Sequence, residues 1–102
     1  VQVVTAVGNE AEAEKISQRV VEKRLAGCAQ VIGPITSIYW WKEKIEKVEE
    51  WLCLIKSRAD LCQELESTIL EVHSYENPEI LAIPVINGSK RYLDWLESEL
   101  KK

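Results

Sequence analysis

The only histidine of the chain, His73, stands in the segment LEVHSYENPEI, with Tyr75, Glu76 and Glu79 close behind it. A neutral imidazole beside a carboxylate is a partial site for Cu²⁺ or Zn²⁺, because both donor types suit such ions. A closed site takes about four ligands, and this segment offers His73, Glu76 and at most Glu79. A thiol or a second subunit would have to supply the rest. Two other readings of His73 remain open. At the end of a helix its charged form is favoured by the carbonyl end of the dipole, and in a cleft it would help to hold a small anion or metabolite. Lys56 and Arg58 fall at a junction between a strand and a helix. Such a pair is usually just solvated, but the start of a helix is also where anions bind readily. Nucleophilic catalysis has no histidine left to build on, so no Ser-His-Asp set can be assembled and no enzyme is expected.

These residues must be positioned by the surrounding elements. Val1 to Val7 reads as a strand, and Asn9 with Glu12 three residues on reads as a capping box. Ala13, Ile16 and Val20 then recur at helical spacing, with Gly27 as the expected stop. The β-branched and aromatic run CAQVIGPITSIYWW predicts a strand over 28–41, with Gly33-Pro34 as a bend or bulge. KEKIE turns the chain, and a second long strand is expected over 45–56. Ser57 with Asp60 reads as the opening of another helix, whose apolar face is Leu61, Leu65, Ile69 and Val72. EILAIPVI predicts a last strand over 79–86, and a closing helix is expected over 89–100. The order β-α-β-β-α-β plus a helix is the α+β, ferredoxin-like pattern. Right-handed crossovers place the first and third strands at the centre of its sheet and the second and fourth at the edges. Pro84 suits an edge strand.

Composition bounds the function. With 102 residues, 46% of them apolar and 29% charged, the chain is expected to form one soluble domain. A net charge of −4 gives no basic stripe for nucleic acid. The third strand, KVEEWLCLIK, lacks the glycine-aromatic motif by which RNA-binding sheets stack bases. The glycine-rich anion loop of acylphosphatase-type enzymes is also missing after the first strand, where AVGNEAE stands. No apolar run approaches the roughly 20 residues of a membrane span. Cys28, Cys53 and Cys62 are odd in number and form no C-x-x-C, which predicts reduced, largely buried thiols in a cytoplasmic protein. The chain has no methionine and opens inside a strand-like run, so an earlier start is expected to have been removed.

The two middle strands are too long for one small subunit. At roughly 3.3 Å per residue they reach about 40 Å, against a radius of gyration of about 13 Å for a domain of this size. Their far end carries Ile38, Tyr39, Trp40 and Trp41, and alternation sends the two indoles to opposite faces. An edge strand with apolar area on both sides predicts an obligate homo-oligomer built through Tyr39, Trp40 and Trp41.

The segments VVEKRLAGCAQVI, TSIYWWKEKIE, LIKSR, HSYENPEI and YLDWL, in this order and spacing, resemble the CutA family of divalent-cation tolerance proteins over essentially the whole chain. The resemblance implies a compact, PII-like trimer whose hairpins clasp neighbouring subunits and leave clefts between them. It implies copper tolerance, binding of Cu²⁺ or another divalent cation, no organic cofactor and no enzymatic reaction. His73, Tyr75, Glu76 and Pro78 match the family's motif, which leaves His73 and Glu76 as the metal candidates, and Cys28, which matches a cysteine common in the family, joins them. By its neighbours alone, in AGCAQVI, Cys28 reads as core. The PII-like alternative is a module that holds a small anion or metabolite in the inter-subunit cleft with Lys56, Arg58, Tyr75 and His73. Three departures stand out. Ser74 replaces the family's proline, predicting a looser turn. Thr5 and Val72 stand where some members have a cysteine and a second histidine. Glu43 occupies a turn position often held by glycine, where a positive φ would be strained.

Overall fold

The computed structural model describes all residues, Val1–Lys102. The chain runs β1 (Gln2–Val7), α1 (Glu10–Glu22), β2 (Cys28–Trp41), β3 (Lys44–Lys56), a 3₁₀ turn (Ala59–Leu61), α2 (Cys62–Val72), β4 (Ile80–Ile83) and α3 (Lys90–Glu99). The strands form one antiparallel sheet in the order β2-β3-β1-β4, with the first and third strands inside as expected. Alternation turns Val3, Thr5 and Val7 of β1 and Cys53 and Ile55 of β3 toward Ile16, Val20, Leu65 and Ile69 of the two long helices. Leu96 of α3 belongs to the same core. No helix is long and apolar enough to cross a membrane.

Several local expectations are corrected. Helix α1 ends at Glu22, well before Gly27, and the left-handed residue after it is Arg24, with φ 60°. Gly27 is needed for another reason: a Cβ there would stand 2.5 Å from Leu96 Cδ1. Only half of the first capping box forms. Asn9 Oδ1 accepts the Glu12 N–H at 2.8 Å, but the Glu12 carboxylate points elsewhere. Ser57 does not cap α2, because its hydroxyl donates to the Leu25 carbonyl at 2.6 Å, and Asp60 is held by Arg58. The last strand stops at Ile83, so Pro84 lies just beyond it. Of the three thiols only Cys53 is buried; Cys28 and Cys62 are partly exposed. Burial pushes the Cys53 thiol upward in pKa, keeping it protonated.

The hairpin of β2 and β3 does overshoot. Strands of 14 and 13 residues give a molecule 44 Å long and only 26 and 21 Å across. Pairing runs from Cys28↔Lys56 to Trp41↔Lys44, interrupted by a register shift between Ile32 and Ile35 at Gly33-Pro34. Gly33 makes room for the Trp51 ring, which lies 2.3 Å from where a Cβ would be. At the tip, Lys42 and Glu43 close a two-residue turn with φ of 48° and 66°. A side chain in that region costs roughly 1–2 kcal/mol per residue. Glu43→Gly is therefore expected to stabilise the chain by roughly 0.5–1 kcal/mol, read as a Tm several degrees higher in thermal denaturation.

Candidate functional site

His73 ends α2, its N–H donating to the Ile69 carbonyl at 2.9 Å, and its side chain is wholly buried. Both ring nitrogens are occupied. Nδ1 accepts the Tyr75 N–H at 3.1 Å, which leaves the proton on Nε2, and Nε2 donates to the Ala6 carbonyl at 2.9 Å. The ring thus ties the end of α2 to β1. Ser74 does not loosen this turn. Its N–H and hydroxyl donate to the two Glu12 carboxylate oxygens at 2.7 and 3.0 Å, a clamp that proline could make with neither group.

The turn then delivers Tyr75 past the end of β1. Its hydroxyl donates to Glu50 Oε2 at 2.8 Å, and a Cβ on Gly8 would stand 3.2 Å from that hydroxyl. Burial, and then the Glu50 carboxylate, push the Tyr75 phenol well above its ordinary pKa. It therefore stays a neutral donor. The raised folded value means that the phenol's contribution is complete below the unfolded value near 10 and fades as pH rises beyond it. In an alkaline absorbance titration one tyrosine should ionise only with unfolding, and Tyr75→Phe should abolish that late phase.

Glu50, only 5% exposed, was not singled out from sequence, though a signal was present. It shares a face of β3 with Val48, Leu52 and Leu54, where a carboxylate is out of place. With Tyr39 and Trp41 from β2 and with Tyr75, Glu76 and Glu79, it lines a cleft of about 890 Å³ between the far half of the overshooting hairpin and the turn after α2. No lysine or arginine is among the residues lining that wall, but the Lys42 ammonium lies over the Trp41 ring, 5.6 Å from its centroid.

The remaining predicted residues lie elsewhere. Cys28, Lys56 and Gln2 form one cross-strand row, and the Lys56 ammonium donates to the Gln2 side chain. The row through Ala6, which touches His73, is four residues along, about 13 Å away. Cys28 therefore does not join His73 and Glu76 within one chain, and no three His, Cys, Asp or Glu side chains come close enough to hold a metal ion. Arg58 is committed to Asp60, to Glu97 at 2.9 Å and to the Lys101 carbonyl. Lys56 and Arg58 thus stand apart from Tyr75. Thr5 is buried inside β1, its Oγ1 without a hydrogen-bond partner.

Residues 1–99 match the family model described as CutA1 divalent ion tolerance protein. The chain belongs to this family. The CutA relationship is supported by a divalent-cation tolerance protein of Archaeoglobus fulgidus, 39% identical over 88% of this chain and 87% of that protein. Protein CutA of Homo sapiens is 47% identical over 86% of this chain, which spans only 49% of the human protein. Among solved CutA structures, the Thermus thermophilus protein superposes with a TM-score of 0.94 at 33% identity, covering 99% of this chain and 100% of that one. The Oryza sativa protein gives 0.95 at 30% identity, over 99% and 93% of the two chains.

Proposed function

We propose that this chain is a non-enzymatic divalent-cation tolerance protein that works as a PII-like homotrimer of ferredoxin-like subunits and binds a divalent cation at its acidic cleft. The observation that carries this reading is the cleft wall: Glu50, Glu76 and Glu79 line it, without any lysine or arginine. Such a wall concentrates cations and repels anions. Family membership and the names of the relatives point the same way.

The donors of one chain fit a metal ion only in part. Glu76 and Glu79 are exposed carboxylates suited to a cation, whereas His73 has both nitrogens engaged and Cys28 lies in a distant row. For Cu²⁺ the softer donors must come from a rearranged His73 or from a second copy. Self-association is supported by the apolar hairpin end and by two free sheet edges, β2 and β4, since head-to-tail pairing of unlike edges forms a ring where the rotation closes. A cytoplasmic setting is supported by the three free thiols. Relatives differ here, two being named chloroplastic and one periplasmic.

The anion-binding alternative is the weaker reading, because Lys56 and Arg58 sit away from the cleft and Arg58 is already neutralised. Calorimetric titration with Cu²⁺ and Zn²⁺ tests the cation reading. Binding that weakens at least about tenfold in Glu76→Gln is the expected result. Unchanged affinity in that variant would remove the cleft from the account.

A further inference from the structure

Glu50 has an unmet requirement. Its carboxylate is nine-tenths buried, yet it forms no ion pair in the chain, and the Tyr75 hydroxyl is its hydrogen-bond donor. An ionised carboxylate taken this far from water is costly unless a cation accompanies it. A single phenolic hydrogen bond offsets only part of that cost. Glu50 forms part of the cleft wall, so a counter-ion can reach it from that side.

The other walls indicate the kind of cation. The cleft volume, about 890 Å³, belongs to the range of organic ligand sites and far exceeds what a bare ion fills. Tyr39 and Trp41 come from alternate positions on one face of β2, and Tyr75 faces them from the turn after α2. The chain's own Lys42 ammonium already lies over the Trp41 ring, 5.6 Å from its centroid, so a ligand takes the other face or displaces it. Aromatic faces next to a carboxylate recognise an ammonium group, through charge pairing and cation–π attraction together. A naked divalent ion makes no use of aromatic surface. Glu76 and Glu79 add two exposed carboxylates around the same cavity, suited to a second positive charge on the same molecule.

We propose that the cleft binds an aliphatic diamine or polyamine, one ammonium pairing with Glu50, the methylene chain lying along Tyr39 and Trp41, and the second ammonium meeting Glu76 or Glu79. The inference rests on the acidic cleft being a binding site but not on its holding a metal. Tyr39 and Trp41 also belong to the proposed assembly surface, so the ligand would sit at a boundary between copies.

The test is calorimetry of the assembled, EDTA-treated protein with 1,4-diaminobutane, alongside 1,4-butanediol and succinate at matched ionic strength. Saturable binding of one diamine per subunit is expected, with no binding of the diol or the diacid. Glu50→Gln should weaken the diamine at least tenfold. Trp41→Leu, which leaves every carboxylate in place, should weaken it severalfold and guards against a Glu50 variant that fails to fold. Absence of diamine binding, including absence because a neighbour's own lysine fills the cleft, overturns the proposal, as does wild-type affinity in both variants. Diamine binding without Cu²⁺ or Zn²⁺ binding would sink only the metal reading; the reverse would sink only this one.

Discussion

Replacing His73 by alanine should destabilise the folded chain by roughly 2–4 kcal/mol, among the largest effects of any single substitution. The imidazole is fully buried and carries two hydrogen bonds to backbone groups from different parts of the chain, the Ala6 carbonyl and the Tyr75 N–H. Alanine leaves both without that partner and opens a cavity where the ring stood. At roughly 4–8 °C per kcal/mol for a domain of this length, a Tm fall of about 10 °C or more is expected in thermal unfolding followed by circular dichroism. His73→Gln, which keeps a donor and an acceptor near the same positions, should recover part of the loss. If His73→Ala melts within a degree or two of the wild type, the ring is not the staple described, and its nitrogens would be free for a ligand.

Trp40→Glu is the second large effect, and it should separate assembly from folding. Trp40 is 71% exposed in the single chain and pairs across the hairpin with Ile45, itself 63% exposed. Ile38 shares their face, whereas Tyr39 and Trp41 lie on the other. An indole carries 150–250 Å² of surface. At about 25 cal/mol per Å², burying what Trp40 exposes is worth roughly 3 kcal/mol per subunit, or on the order of a hundredfold in an association constant. A glutamate there forfeits that gain and must be desolvated as well. Far-ultraviolet circular dichroism should remain that of the wild type, because the indole contributes little to the core of its own chain. The species in light scattering should fall to single chains at micromolar concentration.

Much of the architecture was legible in sequence because it is written in short-range patterns. Asn9 was readable as the cap of α1, and the bounds of β2 at Cys28 and Trp41 matched the β-branched and aromatic run. The central placing of β1 and β3 followed from crossover handedness. Misreadings arose where a residue of the right type was claimed by a distant partner. Ser57 has the composition of a helix cap, but the Leu25 carbonyl takes its hydroxyl. Glu12 completes a capping box in sequence, but its carboxylate is drawn to Ser74 across the fold. Gly27 resembles a helix stop, but its smallness serves Leu96.

The candidate site was legible in composition and not in partnership. Sequence singled out the turn from His73 to Glu79 and the aromatics at the hairpin end, and Glu76, Tyr75, Tyr39 and Trp41 do share one cleft. Proximity in the chain could not reveal that His73 stands behind that wall with its nitrogens taken. Nor could it show that Cys28, Lys56 and Arg58 belong to other parts of the molecule. Glu50 is marked in KVEEWLCLIK only by its parity, which puts a carboxylate on the same face as Val48 and Leu52.

The measurement that bears most directly on all of this is the mass of the wild-type protein in dilute solution, with tryptophan emission recorded on the same sample. Light scattering should give three times the 11.7 kDa chain mass, with emission typical of indoles withdrawn from water. A folded species of 11.7 kDa whose indoles are equally shielded would contradict it. The hairpin would then satisfy itself, and no boundary between copies would remain to complete the cleft.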